Sequence, residues 1–563
     1  MKLEKIIIKN YRSIENIEID FPSNAPVVLF GPNNVGKSNV LKAIECMLGE
    51  KYATYIDFQD SDYFLRDKSS YPNIYFEACF DENIFSGNYY NPATNRVCFT
   101  TNVNIAGKTE NLFHYHEDEN EGKKIFLGND DREKCQFVVI DATRDISRQL
   151  SYFSQYSILS RMSKKMHESM SGVVRDSLKA KFSEIKEIFE SVPEYKIFYD
   201  RLQNSFESSI DGFEHKLEID LQAYDPNNYF NALKIIAKEG ENARSFDEFG
   251  TGEQQILLMA FVRAYAETFK GEHFILGIEE PEAHLHPLAQ KWLFKNINRM
   301  AQSGIQVIVT THSPEFLDIE NIEGFIKIYK DGDITKSLQH SAKSLAESCI
   351  ILKAHPAKTT ELSILPFYKS KTFYDQLRGF FARKIILIEG ETEFFSLPNY
   401  FVYCNYDLIK NGVEIVNCRG KSQITRNYRL FKSYNYECFC LFDADSESGD
   451  NDDFAKTFDF DKSGMINGDD SFTFDQSKKY GYFGKNFESY MRHEITTYSQ
   501  EESKIVGEKV LKAKIISENN KFTPNFIENI ASSLGLLKSD QAPVAELVES
   551  DEKSEITVDE IPF

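Results

Sequence analysis

The stretch that most restricts what this chain can fold into is GPNNVGKS, Gly31 to Ser38, set between the apolar run APVVLF and the pattern NVLKAIECMLG. It fits G-x-x-x-x-G-K-[ST] through Gly31, Gly36, Lys37 and Ser38. Glycines at this spacing let successive backbone N–H groups curl around an anion, but only where a strand delivers the chain and a helix receives it. The flanks supply both. Val40, Leu41, Ile44, Met47 and Leu48 recur at a helical period that Gly49 closes. The pattern predicts an α/β fold whose loop holds the phosphates of ATP. Lys37 reaches the terminal phosphates, Ser38 offers its hydroxyl to magnesium, and Asn33 and Asn34 lie within the same loop.

A chain of 563 residues exceeds what one hydrophobic core normally serves, so two or more domains are expected. No stretch approaches the roughly 18 consecutive apolar residues of a membrane span. The start, MKLEKIIIKNYRS, has too short an apolar run for a signal peptide, and the expected location is the cytoplasm without membrane contact. Nine cysteines without a C-x-x-C spacing argue against a zinc ribbon or a disulfide framework and for reduced thiols. A net charge of -22 would repel nucleic acid if spread evenly. Much of it is local, in DADSESGDNDD (Asp443 to Asp453) and in the tail from Asp551 to Glu560, which leaves room for a basic groove elsewhere.

Hydropathy patterning divides the chain into a first ATPase lobe (1–145), a charged helical insertion (146–215), a second lobe (216–330), a connector (331–380), a smaller α/β domain (381–537) and an acidic, disordered tail (538–563). HFILGIEEPE and IQVIVTTHSP are strand-like runs around a helical segment, a βαβ rhythm that implies a parallel sheet. The first ends in Glu279 and Glu280, where one carboxylate suits the magnesium shell and the other a water-polarising base. The second run is followed by His312, placed to sense the γ-phosphate.

NYRS, the glycine-rich loop, FGTGEQQ, EEPEAHLHP and TTHSP together resemble the ATP-binding-cassette heads of the SMC and RecF type. The resemblance implies Arg12 near the nucleotide and a dimer across which Gly250, Gly252 and Glu253 face the partner's loop. Gln59 is a candidate for the Q-loop glutamine. The signature departs from the usual form in placing threonine between its glycines.

The second constellation starts at RKIILIEGETEFFS, where an apolar run ends in Glu389, Glu391 and Glu393 around Gly390, a residue expected to permit a tight turn. Further on, CLFDADSE sets Asp443 and Asp445 after another apolar run. Carboxylates gathered by strand ends raise one another's pKa unless a cation neutralises them, and an all-oxygen set suits magnesium or manganese. Strand-borne E-x-x-x-E and D-x-D in one α/β unit resemble the TOPRIM domain. An SMC-like head followed by TOPRIM is similar to the OLD (overcoming lysogenisation defect) family of nucleases, which includes the nuclease subunit of Gabija-type anti-phage systems.

That resemblance implies an ATP-regulated, metal-dependent DNA endonuclease, with Glu389, Glu393, Asp443, Asp445 and Glu488 as metal ligands and Lys521 as the basic residue at the phosphate. It also implies a homodimer or higher homo-oligomer and leaves room for a helicase or a reverse-transcriptase (retron) partner. Gly420 matches the small residue after the second strand, with Lys421 beside it as a DNA contact. Gly449 falls one position later than the usual D-x-D-x-x-G, and Glu447 is an alternative ligand. Two other readings stay open: an ATP-driven DNA clamp or sensor whose TOPRIM domain docks a separate effector, and primase-like nucleotidyl transfer.

Overall fold

The computed structural model describes residues 2–49, 55–82, 95–103, 109–115, 136–140, 274–444 except His284, 451–461 and 468–539 except Thr496, with parts of 166–201 and 236–264. The chain divides into two compact units. One comprises Met1–Leu3, Leu41–Asp57 and Cys79–Val309; the other comprises Glu4–Val40, Phe58–Ala78 and Thr310–Phe563. Among the described residues no helix is long and apolar enough to cross a membrane.

In the second unit, β1 (Leu3–Tyr11), β2 (Ile14–Asp20) and β3 (Val27–Phe30) open the chain. Helix α1 (Lys37–Leu48) begins inside the glycine-rich motif. In the first unit, β4 (Gln136–Ile140) pairs in parallel with β5 (Phe274–Glu279), which places Glu279 at a strand end. Helix α2 (Pro287–Gln302) follows, with proline at its start and His286 Nδ1 accepting from Leu288 N. Within the stretch read as a helical insertion, Gly172–Glu190 forms a helix. Beyond α2 comes β6 (Gln306–Thr311), then β7 (Phe325–Asp331) and β8 (Ile334–Gln339).

The sheet order β1-β2-β8-β7-β3 joins the strand that feeds the phosphate loop to strands about 300 residues later. β7 runs parallel to β3, with Lys327 opposite Phe30, and antiparallel to β8. The strand β8 lies in the segment expected to be a connector. Its sequence, ITKSLQ, buries little beyond Thr335, so neither alternation nor an apolar run announces it. The rest of that segment is helical, with α3 (Ala342–Ile351) and α4 (Glu361–Lys371) opened by the side-chain caps Ser341 and Thr360.

A five-stranded sheet follows. Its strands are β9 (Lys384–Ile388), β10 (Val413–Asn417), β11 (Glu437–Asp443), β12 (Phe472–Asp475) and β13 (Tyr480–Phe483), in the order β10-β9-β11-β13-β12. All pairs are parallel except β12 with β13. Ile385 to Ile388 are fully buried, as a central parallel strand covered on both faces requires. Helices α5 (Glu391–Tyr403), α6 (Lys421–Ser433), α7 (Asn451–Phe458), α8 (Phe487–Glu494), α9 (Lys509–Asn519) and α10 (Asn525–Leu534) pack around it. Parallel neighbours share polarity, so the C-terminal ends of β9, β10 and β11 lie along one edge of the sheet.

Candidate phosphate loop and carboxylate edge

At the loop, Gly31 and Gly36 adopt φ of 146° and 106°, which L side chains rarely take, and Asn34 sits at 61°. Space restricts Gly31 further, because a Cβ there would lie 2.1 Å from the carbonyl of Ile328. Gly31→Ala is therefore expected to cost about 3 kcal/mol of stability, read as a fall in the thermal midpoint. Lys37 is buried, and its Nζ donates to Gly31 O (3.0 Å) and Pro32 O (2.9 Å).

Around the loop stands a support that joins the NYRS segment to a distant strand. Thr335 Oγ1 donates to Val35 O at 2.8 Å and bonds Ser13 Oγ at 2.7 Å, and Ser13 Oγ accepts from Asn39 Nδ2 at 3.0 Å. Arg12, itself at φ 54°, reaches Asn39 Oδ1 at 3.2 Å, one residue beyond Ser38, and pairs with Asp62 at 2.9 Å. Ser13 was within reach of the sequence, as part of NYRS. Thr335 was not, because it comes from a strand without a pattern.

Glu279 ends β5, and Glu280 follows at φ 45°, a conformation that costs a non-glycine residue about 1 kcal/mol and is typical of functional turns. His312 directly follows β6, in a turn closed by Ser313 N donating to Thr311 Oγ1 at 2.9 Å. In the signature segment, residues 252–254 are helical, and Glu253 reaches back to accept from Gly250 N at 3.1 Å. Glu253 thus serves its own helix start. Gln59 precedes a short 3-10 turn, Asp60–Asp62.

At the carboxylate edge, Asp443 is the last residue of β11, and its backbone N lies 3.4 Å from Glu389 Oε2, just past the end of β9. Asp443 Oδ1 accepts from Phe487 N at 3.0 Å, which anchors the start of α8 and brings Glu488 in with it. Glu393, in the first turn of α5, and Glu488 are 5% and 3% exposed, burial that carboxylates seldom tolerate without a partner. Glu391 between the first two faces solvent. Burial, with the charges of Glu389 and Glu488 adding, pushes the Glu393 carboxyl up to about 7.

The residue offsetting this charge is Lys509, at the start of α9, whose Nζ lies 2.8 Å from Glu488 Oε1. Glu488 Oε2 is buried without a hydrogen-bond donor. Among the described residues no three of these side chains converge enough to hold an ion by themselves. Asp445, Glu447 and Gly449 lie outside the described residues. An all-oxygen set with an unsatisfied buried carboxylate oxygen nevertheless fits a hard divalent cation, whose charge would answer both the missing donor and the raised pKa.

Three expectations are corrected. Gly390 is extended, at φ -147°, a conformation open to any residue, so no tight turn selects glycine there. Gly420, at φ 129°, is the glycine its conformation demands, and its N–H donates to Glu389 O at 2.8 Å. Lys421 is buried, with its Nζ 5.8 Å from the Phe442 ring centroid, rather than displayed for DNA. Lys521 lies at the far end of α9 from the carboxylates. Lys514 covers Phe395, and Asn399 Nδ2 donates to Ser517 Oγ at 2.9 Å while Tyr403 Oη donates to Ser517 O at 2.8 Å. Helices α5 and α9 therefore run side by side in one direction, and Lys521 follows the end of α9 that lies about 16 Å from Lys509. The α9 sequence, KVLKAKIISEN, has no amphipathic stripe to single out its first lysine.

Because the Glu393 carboxyl is raised from 4.5 to about 7, folding takes up a proton between those values. The stabilising share is complete below about pH 4.5 and is lost as pH rises through about 7. In EDTA, the protein should lose roughly 3 kcal/mol of stability across that window from this group. Glu393→Gln should flatten the change, measured as thermal midpoint against pH.

Residues 1–317 match the AAA ATPase domain family, and residues 380–445 match the overcoming lysogenization defect protein-like TOPRIM domain. A protein named OLD nuclease from Thermus scotoductus is 23% identical over 460 residues, which cover 79% of this chain and 82% of the relative. The Old nuclease of Escherichia phage P2 is 25% identical over 38% of this chain and 36% of its own length. Endonuclease GajA of Bacillus cereus is 26% identical over 37% of this chain and 32% of its own length. With more than half its length in the match, and with the loop, strand ends and TOPRIM sheet placed as described, this chain belongs to the AAA ATPase domain family and carries an OLD-like TOPRIM domain after its ATPase region.

Proposed function

We propose that the chain is an ATP-regulated, divalent-metal-dependent DNA endonuclease. The observation that supports this most is the carboxylate edge, where Glu389 and Asp443 at the ends of parallel strands lie near Glu393 and Glu488 in the first turns of two helices, with Lys509 on Glu488. A structural role would not bury the Glu393 carboxyl beside the charges of Glu389 and Glu488, which push it up. Glu389, Glu393, Asp443 and Glu488 are the residues that would hold magnesium or manganese, which when bound would supply positive charge for phosphodiester cleavage.

The chain's own residues do the rest. Asp443 is fixed by the Phe487 N–H, Glu488 is delivered by the start of α8, and Glu393 gives up a proton near neutrality when a cation replaces it. Lys509, with its side chain 61% exposed, has the freedom to leave Glu488 for a phosphate oxygen. Lys37 and Ser38 bind ATP phosphates and magnesium, and the readings of Glu279 and Glu280 as magnesium-shell and water-polarising carboxylates and of His312 as a γ-phosphate sensor are part of the proposal. A homodimer and a place in anti-phage defence belong to the same proposal, supported by the OLD resemblance alone.

The test is incubation of the purified protein with supercoiled plasmid and magnesium or manganese, with and without ATP. Metal-dependent nicking or linearisation supports the reading, and a change with ATP gives the sign of regulation. ATP turnover without cleavage under any condition would favour the clamp or sensor instead.

A further inference from the structure

Strand β7 offers a buried amine to the TOPRIM domain. Lys327 Nζ donates to Tyr434 O at 2.8 Å and lies 3.4 Å from the Tyr436 ring centroid. Just past β8, His340 Nε2 bonds Ser433 O at 2.9 Å, and its ring meets Tyr434 edge-on at 5.0 Å. Ser433 and Tyr434 are the last residue and the cap of α6, so both groups satisfy carbonyls that a helix end leaves free. A lysine is an expensive way to do this. Burial pushes its ammonium down to about 7, and buried charged groups are commonly replaced by apolar ones at no loss of stability.

The contacts continue in both directions. On one side, Lys327 stands opposite Phe30, the residue before Gly31, and Phe30 packs on Phe325 at 4.5 Å, Phe380 at 5.5 Å and Tyr434 at 6.2 Å. The next residue of β7, Ile328, is the one whose carbonyl closes on Gly31. Since Lys37 Nζ is bonded to Gly31 O, a phosphate held by that ammonium is tied to the same point. On the other side, α6 opens at Gly420, bonded through its N–H to Glu389 O. Thirteen residues of helix carry a displacement about 20 Å as a rigid body.

Resting on the reading of both sites above, we propose that Lys327 is a positioning residue for the carboxylate edge. It acts through α6 and makes the placement of Glu389 depend on what the phosphate loop holds.

The test uses the full chain. ATP binding is measured by calorimetry, then amide hydrogen exchange of residues 418–424 is followed with and without ATP. In the wild type, ATP should change exchange there by a factor of about 5 or more. Lys327→Met keeps the apolar stem without the donor, and while still binding ATP it should lose that change; Lys327→Arg should recover part of it. Should Lys327→Met not fold, Phe380→Leu trims the same bridge and carries the same two outcomes.

The inference is overturned if the variant responds to ATP as the wild type does, or if ATP leaves those amides of the wild type unchanged. A wild type that shows the exchange change, lost in Lys327→Met, yet cuts no plasmid supports the coupling while sinking the nuclease reading.

Discussion

Asp443→Asn is expected to lower metal-dependent cleavage of supercoiled plasmid by about 1,000-fold or more, while the protein stays folded and binds ATP as before. The asparagine is chosen over alanine for a structural reason. Asp443 Oδ1 accepts from Phe487 N, and an amide oxygen keeps that bond, so α8 and Glu488 stay in place while one negative charge leaves the edge. A loss of cleavage then reports on charge and ligation rather than on a collapsed site. The measurement is a plasmid-nicking time course in magnesium or manganese, beside thermal unfolding of both proteins. Retention of wild-type cleavage by the variant would remove Asp443 from the chemistry and with it the proposed site.

Lys37→Ala is expected to lower ATP affinity by about 100-fold, the worth of a charge-assisted bond to phosphate, with calorimetry as the check. Its partners Gly31 O and Pro32 O are backbone acceptors, so the stability of the protein should fall much less than its affinity. Divalent-metal binding at Glu393 and Glu488 should survive, because neither carboxylate touches the loop's bonds. A Lys37→Ala protein that bound no metal at its carboxylate edge would show that the two sites do not exist separately.

Much of both sites was readable because the relevant residues lie within short spans. GPNNVGKS and its flanks hold the whole strand–loop–helix unit, and backbone sterics force glycine at Gly31 and Gly36. Glu389 and Asp443 were placed by the apolar strands that end beside them. Glu488 was reached only by resemblance, since nothing in GKNFESYM marks its glutamate as buried. The sequence offered Lys521 as the basic residue, whereas Lys509, at the start of α9, is the lysine that lies against Glu488, and only the packing of α9 on α5 shows which end of that helix meets the carboxylates.

The sequence by itself determined the local chemistry: a phosphate loop that needs its glycines, a fully buried parallel strand, and carboxylates at strand ends. These follow from backbone sterics and hydrophobic periodicity, which act over a few residues. The tertiary structure alone decided what meets across long separations. Thr335 braces a loop 300 residues earlier, Lys509 offsets Glu488, and Lys327 holds the end of α6 at Tyr434. Those partners are chosen by sheet order and helix packing, and a hydrogen bond between distant residues leaves no period or composition in the chain to announce it.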